Sequence, residues 1–314
     1  MKKSLFIYES HYGTAKKIAG IFALICGGGK ACDVKKINQD ISVYDNVIFV
    51  VGFHGNDTAM FIKKYISENR EALLNKKIAY TGVGISEYGS YGYLKSIEEV
   101  LGRKVDYKRF VHGEIRVEKL TLEDKNILEE FLSKQNMNLI ALGVFKEKEA
   151  ADEGYEMALV INKGDKVLNR DKLKEEIIAF INKHNTCALA SGSNDFMRCT
   201  PIEYLYINDN FYFITEGGLK FRGLIENKIA AVSIFEEYSG FNNLKGLQAE
   251  GDTEIIDRES NEYKMVMDAK GINPKFLEKS PVNMNLVKLK VSKVEFLNSD
   301  FKNMDYDAKQ VYEF

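Results

Sequence analysis

Residues 197–227 read MRCTPIEYLYINDNFYFITEGGLKFRGLIEN, and the fold of the second half of this chain turns on them. Two runs rich in β-branched and aromatic residues, Cys199 to Ile207 and Phe211 to Thr215, flank Asn208-Asp209-Asn210, so the spacing predicts a β-hairpin. Thr215-Glu216-Gly217-Gly218 follows, and Lys220 and Arg222 then open a helical pattern that runs to about Asn227. A hydroxyl, two glycines and two cations therefore meet where a strand hands over to a helix. Such a junction suits a phosphate, because the first amides of a helix are unpaired, glycine lets the backbone come close, and Lys or Arg neutralises the charge. Arg198, at the start of the first run, is placed to join them. On spacing alone, an ordinary hairpin with a solvated basic turn fits equally well.

Arg198, Thr200, Thr215 and Lys220 resemble the flavin-binding core of the pyridoxamine 5′-phosphate oxidase-like split barrels, and the resemblance runs from about Arg170 to Leu297. It implies FMN as cofactor, its phosphate on those four residues with Cys199 and Ile214 beside them, and Gln248 of a later strand near the ring. It further implies a homodimer through the barrel domain with the flavin at the interface, for which Phe235, Tyr238 and Phe241 supply exposed aromatic surface. A true pyridoxamine phosphate oxidase is disfavoured, since the chain has no Trp and lacks that enzyme's terminal substrate-binding segment.

At 314 residues the chain exceeds one typical domain, and two are expected. A hydrophobic fraction of 45% beside 29% charged residues belongs to a soluble globular protein. Net charge is -2 with both signs interspersed, which leaves no basic stripe for nucleic acid and no polybasic segment for anionic lipid. Ser4 to Tyr8 is too short for a signal core and Glu9 closes it, so a cytoplasmic protein without a membrane span is expected. Cys26, Cys32, Cys187 and Cys199 show no CxxC spacing and His11, His54, His112 and His184 are scattered. Buried free thiols are therefore expected, with no disulfide framework and no metal site.

The first half alternates strands with helices. Ser4 to Tyr8 is an apolar run that stops at a glycine loop, after which Ile18, Ala19, Phe22 and Ile25 recur at helical spacing. Val47 to Phe53 and Ile78 to Val83 are continuous apolar runs, as in strands covered on both faces of a parallel sheet. Weaker strands are expected at Cys32 to Ile37 and Val105 to Val111, and helices at Ala59 to Asn69, Tyr93 to Leu101 and Leu122 to Gln135. This is a doubly wound α/β domain of five strands. Its segment Tyr8 to Ala19, YESHYGTAKKIA, is similar to the phosphate-binding loop of the flavodoxins and closest to the flavodoxin-like domains that include the menaquinone-dependent protoporphyrinogen oxidases. The resemblance implies a second FMN site at Ser10, His11, Tyr12, Gly13 and Thr14, with Phe53 and His54 after the third strand and Tyr88 near the position of the ring-stacking tyrosine. Ala15 departs from the pattern, standing where a second threonine is usual.

The expected organisation is a flavodoxin-like domain over 1–136, a linker over 137–168 that forms a tether along one domain or a short helix, and a split barrel over 169–314. The barrel half reads as a helix at Arg170 to Lys183, six strands (Thr186 to Ser191, Cys199 to Ile207, Phe211 to Thr215, Ile229 to Phe235, Leu244 to Ile256, Leu286 to Leu297) and a helix at Glu259 to Lys270. No G-x-G-x-x-G follows a strand, so a dedicated nicotinamide-binding domain is not expected. Glu203, Glu216 and Glu250 are the carboxylates nearest the barrel site in sequence, and none is assigned a catalytic role. The expectation is an FMN-dependent oxidoreductase that exchanges electrons with a small molecule or a redox protein. Two other readings stay open: a flavin-binding carrier or redox sensor without its own substrate, and a haem-handling split barrel, for which His184 is the only histidine in that half.

Overall fold

The computed structural model describes residues 2–55, 58–87, 89–134 and 145–314, and the side chain of Glu278 is not included. The chain divides into two compact units, Met1–Lys163 and Gly164–Phe314.

In the first unit β1 (Ser4–Glu9), β2 (Gly29–Asp33), β3 (Asn46–Gly52), β4 (Lys77–Gly84) and β5 (Tyr107–His112) form a parallel sheet in the order β2-β1-β3-β4-β5. The continuous apolar runs are the central strands: Leu5, Phe6 and Ile7 of β1 and Val47 to Val51 of β3 are fully buried. Both faces are covered, as a parallel sheet requires. On one face lie α1 (Thr14–Cys26) and α5 (Glu147–Ile161), with Ile18, Phe22, Met157 and Ile161 in one core. The other core gathers Ile62 and Ile66 of α2 (Met60–Leu74) and Leu94 and Ile97 of α3 (Ser90–Leu101). A further helix, α4 (Leu122–Lys134), follows the fifth strand.

Two sequence expectations shift here. The second strand is Gly29–Asp33 rather than Cys32 to Ile37, because Asp33 caps a 3-10 turn at Val34–Lys36 through Lys35 N–H to Oδ1 at 2.9 Å. The stretch read as linker also holds structure: residues 135–144 lie outside the described residues, but Glu147–Ile161 is helix α5. Its inward face is Ala150, Gly154, Met157 and Ile161, and a Cβ at Gly154 would come within 2.9 Å of Phe22, so small residues let this helix seat on α1.

The second unit begins with α6 (Arg170–Lys183), whose cap Asn169 accepts the Asp171 N–H at 2.9 Å. An antiparallel sheet follows, made of β6 (Thr186–Ser193), β7 (Phe196–Glu203), β8 (Leu205–Ile207), β9 (Asn210–Thr215), β10 (Ile229–Phe235), β11 (Lys245–Ile256) and β12 (Asn285–Asn298). Its order is β7-β6-β10-β11-β12-β9-β8, with β13 (Lys309–Glu313), a strand beyond the six expected, added on β12. Between β9 and β10 lies α7 (Lys220–Glu226), and α8 (Asn261–Ala269) precedes β12. The curled sheet closes on Phe180, Leu189, Phe211, Val232, Leu289 and Phe296, giving a split barrel.

The expected hairpin is corrected in one respect. The run Cys199 to Ile207 is two strands, because Tyr204 turns inward, its hydroxyl donating to Ile181 O at 2.6 Å and its N–H to Asn185 O at 2.9 Å. Before Tyr204 the chain pairs with β6, and after it with β9. That change of partner lets one segment serve both ends of the sheet.

Candidate functional site

The second unit's candidate site is built on β7, β9 and α7. Gly217 (φ 135) and Gly218 (φ 109) form the corner after β9 in a backbone region that side chains rarely adopt. Asn285 pins that corner, its Nδ2 donating to Thr215 O at 3.3 Å and Glu216 O at 3.2 Å. Helix α7 then lies directly on β6: a Cβ at Gly223 would meet Gly192 N at 2.7 Å and Ser191 C at 3.0 Å, so no larger residue fits. Ser191 Oγ donates to Lys220 O at 3.2 Å, and Ser191 is the ladder partner of Arg198. One short strand pair thus sets Lys220 and Arg198 side by side.

The electrostatics are those of an anion site without its anion. Lys220 is 7% exposed, its Nζ donates to Gly217 O, and burial, with the Arg198 guanidinium adding to it, holds its pKa below the ordinary 10.5. Among the described residues no carboxylate pairs with Lys220 and no side chain pairs with Arg198. The Thr200 hydroxyl is buried and has no hydrogen-bond partner, a cost of about 1–3 kcal/mol that a ligand would relieve. Thr215 Oγ1 lies 3.4 Å from the N–H of Gly217 and faces the same corner. The donor set of two cations and two hydroxyls fits a phosphate monoester.

Other expected members are placed differently. Arg222 is drawn away to Asp195 at 3.3 Å and lies over the Phe196 ring. Ile214 pairs with Leu286 and packs on the small core beneath α8. Cys199 is exposed on β7, and Gln248 is exposed on β11 opposite Ser233 and Glu295. Along the ladders Thr200 aligns with the core residues Leu189, Val232 and Ala249, whereas Gln248 aligns with Ser233, Ala188 and Pro201. Side chains alternate along a strand, so Gln248 is on the opposite face from Thr200. The expectation of uniformly buried thiols is corrected too: Cys26 and Cys187 are buried, with burial pushing both thiols up to about 12, but Cys199 is exposed. Glu203 and Glu250 are paired with Lys270 and Lys293, and Glu216 is exposed. His184, the axial ligand a haem would require, packs on Phe180 at 4.8 Å and its Nε2 is buried 4.0 Å from Glu236.

In the first unit the loop Ser10 to Gly13 leads into α1, and the loop after β3 lies beside it because β1 and β3 pair in parallel up to Glu9 and Val51. Ser10 Oγ accepts the Gly13 N–H at 3.1 Å, and Thr14 Oγ1 donates to Glu114 O at 3.1 Å. Residues 113–121 run from the end of β5, where Gly113 N–H meets Gly84 O at 2.7 Å, back to this loop, where Thr121 N–H meets the Tyr12 hydroxyl at 3.4 Å. The Thr14 hydroxyl is therefore spent on the chain's own backbone, whereas Ser10 Oγ accepts from Gly13 and keeps its own proton to donate. Beside them a cavity of about 370 Å³ is lined by Tyr12, Thr14, Lys16, Lys17, Arg116 and Lys119, of which Lys17 pairs with Glu147 and Arg116 with Glu114. Phe53 packs over Gly82 and Gly84 and against Tyr93 at 4.9 Å, as part of the sheet's packing. Tyr88 lies outside the described residues.

The histidines that look scattered in the sequence are not all scattered in space. His11 and His54 stack with ring centroids 3.6 Å apart and planes 9° apart, and His54 Nε2 is 3.0 Å from Asp124 Oδ1. Tyr12 donates to the other Asp124 oxygen and Thr121 Oγ1 donates to it at 2.8 Å. The Tyr12 hydroxyl above all, with Thr121 and His54, holds the Asp124 carboxyl below its usual range. Asp124 escaped the sequence reading, although Thr121-Leu122-Glu123-Asp124 has the form of a capping box at the start of α4.

Residues 5–138 match the family model of the flavodoxin domain, and residues 173–298 match that of pyridoxamine 5′-phosphate oxidase. No curated protein matches the chain. Among solved structures, an FAD-binding protein of Mesorhizobium loti is similar at 16% identity over 38% of this chain and 90% of its own, with a TM-score of 0.32. HutZ, a haem storage protein of Vibrio cholerae, is similar at 16% identity over 38% of this chain and 89% of its own, with a TM-score of 0.33. General Stress Protein 26 of Bacillus anthracis is similar at 16% identity over 45% of this chain and 98% of its own, also at 0.33. At such scores none of the three bears on the function of this chain.

Proposed function

The chain carries a flavodoxin domain followed by a pyridoxamine 5′-phosphate oxidase-like domain, and we propose that it is an FMN-dependent oxidoreductase whose flavin is held by the second. The observation that carries this reading is the unpartnered set at one corner of the barrel: Arg198 without a counter-ion among the described residues, Lys220 buried without a carboxylate, and the Thr200 hydroxyl buried without a hydrogen bond. In the proposed complex the phosphate takes a charge-assisted contact from each cation and a hydrogen bond from Thr200, with Thr215 beside them. Bound there, FMN supplies the electron-transfer chemistry, and the protein supplies position and access. Arg198 and Lys220 fix the phosphate end, and Asn285 holds the corner in shape before the ligand arrives.

This reading gives the first unit a looser role. Its loop has Gly13 and the first amides of α1, but Thr14 donates to Glu114 O and Ala15 has no hydroxyl to offer. With the Thr14 hydroxyl spent on Glu114 O, a second FMN there is held more loosely, so one tightly held flavin per chain is proposed. Phe235, Tyr238 and Phe241, exposed by 66%, 65% and 81%, are proposed as homodimer contacts of the barrel unit. Sedimentation tests this: the expected result is a dimer at micromolar concentration that Tyr238→Ala with Phe241→Ala weakens, and a flavin-bound monomer in the unaltered protein contradicts it. Among the described residues no helix is long and apolar enough to cross a membrane. The absorption spectrum of the purified protein tests the cofactor itself: flavin bands are expected, and a Soret band with no flavin would move the assignment to haem.

A further inference from the structure

We propose that the first unit carries a divalent transition-metal site on His11, His54 and Asp124, separate from the flavin site of the barrel. Their ligand atoms lie within 4.8 Å of one another, and the residues arrive from three segments: the loop after β1, the loop after β3, and the first turn of α4. Two imidazole nitrogens and one carboxylate oxygen form a borderline donor set that suits Zn²⁺, Co²⁺, Ni²⁺ or Fe²⁺ rather than Ca²⁺ or Mg²⁺, which favour all-oxygen shells.

The surroundings of the three residues are arranged as a metal site arranges them. Asp124 Oδ2 takes the Tyr12 hydroxyl and Thr121 Oγ1, which leaves Oδ1 directed at His54. The capping role of Asp124 accounts for the Thr121 contact, but it accounts neither for Tyr12 nor for the imidazole. The loop that carries His54 is fixed as well, since its N–H donates to Thr58 Oγ1 at 2.7 Å and Thr58 Oγ1 donates to Gly55 O at 3.0 Å. Partners of this kind orient ligands and raise metal affinity. The two imidazole rings stack with centroids 3.6 Å apart, which brings their nitrogens close enough to share one cation. Three protein ligands leave at least one coordination position open, for water or an anionic oxygen. His11 is exposed, and His54 and Asp124 are half-buried.

The test uses the full chain with Cys199→Ser to remove an exposed thiol, stripped with chelator and titrated with ZnCl₂ and with CoCl₂. One Zn²⁺ per chain is expected, with a rise in melting temperature and, for Co²⁺, visible absorption of a low-coordinate ion. His54→Ala and Asp124→Asn each abolish uptake or weaken it by about tenfold or more, and Tyr12→Phe, which keeps the ring and removes the hydroxyl held on the carboxylate's far oxygen, weakens it by about tenfold. His112→Ala, at a histidine paired with Glu149 elsewhere in the unit, leaves uptake unchanged. Circular dichroism and the metal-free melting temperature establish that each variant is folded. Absence of saturable uptake in the unaltered chain overturns the proposal, and so does one-to-one uptake undiminished in folded His54→Ala and Asp124→Asn. Neither result touches the flavin assignment, which is read from the barrel.

Discussion

Two corners of this molecule carry the same sequence signal and opposite chemistry. Ser10 to Lys17 in the first unit and Thr215 to Lys220 in the second each bring hydroxyl, glycine and lysine to the start of a helix. In the first, the Thr14 hydroxyl is spent on Glu114 O, Ser10 Oγ accepts the Gly13 N–H, and Tyr12 and His54 converge on Asp124. In the second, Thr200 and Arg198 have no hydrogen-bonding side-chain partner among the described residues, and Lys220 meets a carbonyl and the Phe221 ring but no carboxylate. A motif therefore reports which groups are brought together, and only their remaining hydrogen-bonding capacity reports whether a ligand is still wanted. Buried polar groups are nearly always satisfied, so the exceptions carry the information.

The contrast is broken most forcefully at the two sets of anchors. Lys220→Ala removes a charge-assisted contact of about 1.5–3 kcal/mol, and FMN affinity is expected to fall roughly 10- to 150-fold. Thr14→Ala in the first unit is expected to change it by less than about twofold, because Thr14 takes no part in the proposed site. Fluorescence titration of the two full-length variants with FMN checks both, and equal losses would erase the distinction between the corners.

A pH series sharpens it next. The Lys220 pKa is held below 10.5, so its charge is complete only below that lowered value and is lost as pH rises through it, while the phosphate becomes a dianion above about pH 6. FMN affinity is therefore expected to be greatest between these limits and to decline on the alkaline side before an ordinary lysine would titrate. In Lys220→Arg, whose side chain stays charged, the alkaline decline should vanish. A decline that persists in that variant would assign it to another group.

The smallest effect is the most discriminating. In Thr200→Val the unpartnered hydroxyl becomes a methyl, so the flavin-free protein should keep its melting temperature or gain slightly, while FMN affinity drops by about 1 kcal/mol, or roughly fivefold. A hydroxyl that mattered only to folding would show the reverse pattern.

Much of this was legible in the sequence, for identifiable reasons. The central strands are continuous apolar runs, and burial on both faces is what such runs mean, so β1, β3 and β4 read directly. Helix α5 did not, because its inward face is Ala150, Gly154, Met157 and Ile161, where two small residues leave a weak periodic signal inside KEKEAADEGYE. The break at Tyr204 was hidden because its cause is a tertiary contact with Ile181. At the barrel site Arg198, Thr200, Thr215 and Lys220 were each visible, but the diversion of Arg222 to Asp195 and the facing of Gln248 depend on pairing across strands, which no local pattern encodes. The His11, His54 and Asp124 cluster was out of reach for the same reason, since it joins a loop, another loop and a helix start.

Flavin released by acid from the full-length protein, quantified per chain for the unaltered protein and for Arg198→Ala with Lys220→Ala, tests the central claim most directly. The account predicts one FMN per chain in the former and essentially none in the latter, with both proteins folded. Flavin retained at the unaltered level in the double variant, or lost from the unaltered protein by substitutions at Ser10 and Thr14 instead, would contradict it.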